Sequence, residues 1–182
     1  MMAFEVTFEL TESDFEHFRE VMHKAQAKTK HFSEHTIITN AQKLITSVHS
    51  NVPTFVSERI DKLKTLIAML EDSEWQIPDD EKSNVLSALA YFSDPEDLVP
   101  DHIPALGFLD DAIMIELVSE DLKDDIEAFD EFCEYRAREQ DRSEETITKD
   151  DWLDAKRREL HSRMRHRRLS RRGSGSSFRS IF

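Results

Sequence analysis

Five aspartates stand between positions 94 and 111: Asp94, Asp97, Asp101, Asp110 and Asp111. Hard divalent cations take clustered carboxylate oxygens, so a metal site, with a metal-dependent reaction built on it, is one chemistry this spacing allows. Paired carboxylates could also serve acid/base catalysis. The spacing is not that of an EF-hand loop, which requires a glycine at its sixth position and a closing acid at its twelfth. An architectural reading accounts for the same residues. Asp94 precedes Pro95 and suits a helix cap, Asp101 suits a second cap, and Asp110 and Asp111 fall in the first turn of a helix, whose dipole favours negative charge. Capping is therefore the expected role, with a divalent cation as the alternative and no other cofactor expected.

Other chemistries find less support. The eight histidines form no His-Glu-x-x-His, and there is no Cys-x-x-Cys or Gly-x-Ser-x-Gly. His31 and His35 have metal-compatible spacing only if one helix carries both. The histidines are otherwise expected at the surface, and His102 beside Asp101 is the one placed to be oriented by a carboxylate. The single cysteine, Cys133, lies among Phe129 and Phe132 and reads as a buried, inert thiol. No phosphate loop is present.

The second constellation is basic. Arg157, Arg158, Arg163, Arg165, Arg167, Arg168, Arg171 and Arg172 crowd the C-terminal end. Residues before Lys156 carry a net charge of about −23 and those from Lys156 onward about +9, within a total of −14. Such an arm could neutralise the phosphates of RNA or DNA in a salt-dependent way, lie on an anionic membrane surface, meet an acidic protein, or fold against its own acidic body. Aromatic residues are sparse there, with only Phe178 and Phe182, so base stacking has little to work with.

The elements that must position these groups are helices. The chain has 3 Gly and 5 Pro in 182 residues, fewer turn formers than a sandwich or barrel needs. Apolar residues recur at helical spacing in successive segments: Phe15 to Ala25 after a Thr11–Asp14 capping box, Ile37 to Val48, Phe55 to Leu70 and Val85 to Phe92. The series continues from Phe108 to Val118, from Leu122 to Cys133 after a break at Ser119–Asp121, and from Trp152 to Met164 after a Thr148–Asp151 cap. Phe4 to Leu10 alternate at strand period but lack a partner strand and read as an extended lead-in. The prediction is an all-α bundle of about six to seven helices: an acidic domain over 1–140, a basic helix over 141–169 and a disordered basic tail over 170–182. The longest apolar run, Ile103 to Val118, is too short and too acidic to span a bilayer. No secretory signal opens the chain, so a cytoplasmic location is expected, with the arm allowing peripheral membrane contact.

Pro95, Pro100 and Pro104 bias the residues before them away from helical angles and make this stretch a tight connector. The pattern formed by Tyr91, Pro95, Asp97, Leu98, Val99, Pro100, Asp101, Ile103, Pro104, Gly107, Leu109, Asp110 and Asp111 resembles the YkvA family of bacterial domains. The resemblance covers 83–118 and implies a helical fold without an assigned biochemical function; some relatives are predicted to associate with membranes. With no catalytic motif in view, the sequence predicts a non-catalytic interaction module whose basic C-terminal arm is the contact element. A metal-binding protein or metal-dependent enzyme, and a peripheral membrane protein, are the alternatives.

Overall fold

Thr11 opens the first helix as its spacing predicts. The Asp14 carboxylate turns back to accept the Thr11 backbone N–H at 2.7 Å and its hydroxyl at 2.6 Å, so the Thr11 amide at the helix entrance has its partner supplied. The chain is seen in a computed structural model that describes residues 7, 9–48, 52–94, 107–140 and 149–173. Among these residues there are seven α-helices and no strand: α1 (Glu12–Thr29), α2 (Glu34–Ser47), α3 (Thr54–Glu71), α4 (Asp79–Leu89), α5 (Leu109–Asp121), α6 (Lys123–Gln140) and α7 (Lys149–Gly173). The α4 helix tightens into a 3-10 turn over Ala90–Ser93. Four of the seven residues of the expected extended lead-in (4–6 and 8), and the connector from Pro95 to Leu106, lie outside the described residues.

The core is organised on α3 and α5. One face of α3 buries Val56, Ile60, Leu63, Leu66, Ile67 and Met69, and the helix packs against α2, α4, α5 and α6. In α5 the residues Ala112 to Ile115, Leu117 and Val118 are all buried. A helix apolar around its whole circumference belongs in an interior. Its half-exposed Glu116 is drawn to α3 by Lys62 Nζ at 2.7 Å and Arg59 Nε at 3.0 Å. Burial raises the Glu116 pKa, but these two cations outweigh it and hold the carboxyl below its ordinary value.

At two boundaries the structure refines or departs from expectation. The break or cap expected at Ser119–Asp121 falls at the end of that stretch: Ser119 is buried inside α5, the helix ends at Asp121, and the chain bends at Leu122. The Leu122 N–H bonds back to Val118 and its carbonyl accepts from Asp125 and Ile126, so α5 passes almost directly into α6. No proline or glycine interrupts this stretch, and the fully buried Leu122 side chain fixes the bend instead. At the other end, α7 continues to Gly173, past the expected loss of order at Ser170. The ion pair of Arg171 with Asp124 ties this last stretch to α6, a support that its sparse apolar content does not supply.

The turn between α3 and α4 places one large ring. Asp72 Oδ1 accepts from the Glu74 and Trp75 amides at 2.9 Å each, and Arg136 of α6 bonds both Asp72 and Glu74 at 2.8 Å. Trp75 is thereby held fully buried against Phe129, Phe132 and His161, with ring centroids 5.7, 5.2 and 4.4 Å away.

Candidate functional site

The described part of the basic arm, α7, is an integral part of the fold. Leu153, Leu160 and Met164 recur along α7 at spacings of seven and four, forming one stripe, and all three are buried in the same core as Phe129 and Phe132 of α6. Each such side chain stabilises the folded state by roughly 1.5–3 kcal/mol when fully buried. His161 lies on the same stripe, 8% exposed, edge-on to Trp75. Among the described histidines His17, His23, His31, His35 and His166 are exposed as expected, and His161 is the exception: it sits one residue from Leu160 and three from Met164, which puts it on the packed side. Burial, reinforced by Arg157 and Arg165, pushes its pKa down to about 4, so the ring is neutral near pH 7.

Beside this stripe, α6 and α7 exchange charges in order. Lys156 and Arg163 both reach Glu131, Lys156 at 2.9 Å; Arg167 pairs with Glu127 at 3.0 Å, Arg168 with Asp125 at 3.5 Å and Arg171 with Asp124 at 3.3 Å. Acids falling along α6 meet bases rising along α7, as antiparallel neighbours require. The hydrogen bond from Lys156 is the main reason the Glu131 carboxyl lies below its usual range. Arg157 donates to the Glu74 carbonyl at 3.0 Å and also pairs with Asp154, as does Arg158. Of the eight arginines singled out in the sequence, Arg163, Arg167, Arg168 and Arg171 therefore face α6. Arg158 and Arg165 are exposed, together with Ser162, His166 and Leu169. The Arg172 side chain lies outside the described residues.

A buried acidic group underlies the end of this ladder. Asp125 is 1% exposed, and neither carboxylate oxygen has a hydrogen-bond partner among the described residues. Desolvation raises its pKa to about 6; Arg168 opposes the shift, while repulsion from Glu81 and Asp124 adds to it. Glu81, in the first turn of α4, is 3% exposed. Neither acid stood out in the sequence, because carboxylates in helical first turns, here Asp79-Asp80-Glu81 and Asp124-Asp125, read as solvated. The clue available was their position beside buried apolar residues, Val85 for Glu81 and Leu122 for Asp125.

The aspartates of the connector are only partly in view. Asp94 ends the 3-10 turn and receives Lys28 Nζ at 3.0 Å. Asp110 and Asp111 do fall in the first turn of α5, both buried, and Asp110 accepts the Tyr91 hydroxyl at 3.3 Å. Asp97, Asp101 and His102 lie outside the described residues. Among the described residues no group of three or more His, Cys, Asp or Glu is arranged to hold a metal ion. The backbone turns sharply just before α5 at Phe108, whose φ of 66° is left-handed. The buried Phe108 ring anchors that residue in the core. His31 precedes α2 and His35 lies within it, so the pair does not share a helical face. Cys133 is half-buried rather than buried, and burial pushes its thiol pKa up despite nearby Arg136, which keeps the thiol protonated.

No helix among the described residues is long and apolar enough to cross a membrane. No curated protein and no solved structure is significantly similar to the chain. Residues 82–117, running from α4 into α5, match the model of a family described as a protein of unknown function (DUF1232), a match with which the YkvA-like resemblance of the motif is consistent.

Proposed function

We propose that the protein is a non-catalytic interaction module that contacts an anionic partner through the outward face of α7. The observation that carries this reading is the division of the helix. Its inward cations are matched by carboxylates of α6, while Arg158, Arg165, His166 and Leu169 recur at spacings that place them on one exposed face. Leu169 is 65% exposed, the more exposed of two large apolar side chains that stand out among the described residues. Arg165 makes no ion pair among the described residues. Cations held on a rigid helix meet a partner without first being ordered, which lowers the entropic cost of binding. Nucleic-acid phosphates, anionic lipid headgroups and carboxylate-rich proteins all present the required charge.

The reading is tested with heparin-agarose, a polyanion that an acidic chain has no general reason to bind. The full-length protein is expected to be retained at low salt and released as salt rises, with Arg165→Glu eluting earlier and Arg165→Lys eluting with the wild type. Flow-through of the wild type at low salt, or unaltered elution of Arg165→Glu, would overturn it.

A further inference from the structure

The end of α7 carries a hydroxyl in a setting that the interaction reading leaves unused. Ser170 is exposed in the last turn and donates to the His166 carbonyl at 3.0 Å. Arg167 and Arg168 occupy the third and second positions before it, and the same order recurs as Arg171-Arg172-Gly173-Ser174. Among the described serines, Ser170 is the one with arginine at both preceding positions. The acidic cleft of a basic-directed protein kinase recognises two arginines placed this way, through charge-assisted bonds to their guanidinium groups. Helix ends open more readily than helix centres, and Ser170 lies in the last turn of α7, which ends at Gly173.

We propose that Ser170 is a phosphorylation site whose modification releases the end of α7 from α6. Its Oγ attacks the γ-phosphorus of ATP held with Mg²⁺ by such a kinase. The Oγ–P bond forms, the bond from that phosphorus to the β,γ-bridging oxygen breaks with its electron pair leaving on ADP, and the hydroxyl proton passes to the kinase's catalytic carboxylate. The product places a charge of about −2 at the negative end of the helix dipole, where it is unfavourable. It also stands beside Arg167 and Arg171, the residues that hold Glu127 and Asp124. The phosphate competes for these two guanidinium groups and repels the carboxylates they leave. Arg168 is then withdrawn from Asp125, which regains water.

The test treats the full-length protein with MgATP and the catalytic subunit of a cyclic-AMP-dependent kinase as the probe, then locates phosphate by fragmentation and follows amide exchange. The expected result is one phosphoryl group on Ser170, absent from that position in Ser170→Ala. Exchange at 166–173 should be faster by about tenfold or more in the phosphorylated protein, with α3 unchanged. No incorporation at Ser170, incorporation without faster exchange there, or an equal acceleration in α3 would each overturn the proposal. The readout is local opening, so it stands apart from whether the outward face of α7 binds a polyanion.

Discussion

Arg168 Nη2 stands 3.5 Å from Oδ2 of Asp125, a carboxylate sealed from water with no hydrogen-bond partner for either oxygen among the described residues. The pair ties the end of α7 to the body through charge attraction without the directed bonds that would fully satisfy a buried anion. Asp125 is consequently held with a pKa near 6 instead of the usual 3.8.

Ionised Asp125 therefore opposes folding. Its folded pKa is raised, so its favourable contribution is complete below pH 3.8, is lost as pH rises to about 6, and is absent above that. The shift corresponds to about 3 kcal/mol. Asp125→Asn should then be more stable than wild type by up to about 3 kcal/mol at pH 7.5 and no more stable at pH 3.5. Urea unfolding at the two pH values measures this, and destabilisation at pH 7.5 would show that the Arg168 pair is a net gain.

His161 works in the opposite sense. Its folded pKa is depressed from 6.5 to about 4, so the unfolded chain takes up the proton first and stability falls as pH drops through that window. Between pH 4 and 6 the slopes from His161 and Asp125 cancel. Relative to wild type, Asp125→Asn should gain stability with rising pH, and His161→Phe should lose it, each by about 1.4 kcal/mol per pH unit. Parallel curves for the two variants and wild type would contradict the assignment.

Removing α7 should unfold the body. Loss of Leu153, Leu160 and Met164 uncovers the core around Trp75 and removes about 5–9 kcal/mol of burial, comparable to the whole stability of a small domain. A chain ending at Gln140 is expected to lack a cooperative thermal transition, and Leu160→Ala alone should cost about 2–5 kcal/mol. A truncated chain that melts like the wild type would return the arm to the status of an appendage.

Tyr91 and Asp110 join the two ends of the proline-rich connector through their 3.3 Å hydrogen bond. Tyr91→Phe keeps the ring and removes the donor. The expected loss is about 1–3 kcal/mol, the range for leaving a buried hydrogen-bonding group without its partner. Chemical denaturation reads it directly, and no loss would mean that the connector is closed by other contacts.

How much of this could be read from the residues depended on how far apart the interacting groups lie. Periodicity placed the helices, because Ile37, Ile38 and Ala41, or Ile60, Leu63 and Ile67, mark a buried face from local spacing alone. The first turn of α5 was legible for the same reason. The pairing of Arg163 with Glu131 and of Arg171 with Asp124 was not, since choosing α6 over other acidic helices requires the tertiary arrangement. The Leu153, Leu160 and Met164 stripe nevertheless signalled that one side of the arm is buried. Glu81, Asp125 and His161 escaped notice because ionisable side chains are usually solvated, and helical pattern alone does not reveal which of them a neighbouring helix will cover.

The division of α7 into a docked face and a presented face is tested most directly by comparing Arg165→Glu with Arg167→Glu, measuring both heparin affinity and thermal stability. Arg165→Glu should weaken heparin binding by about tenfold or more with its melting temperature unchanged, whereas Arg167→Glu should melt lower, having turned an ion pair with Glu127 into a repulsion, while retaining most of its affinity. The reverse pattern, with binding lost through Arg167 and stability lost through Arg165, would contradict the account.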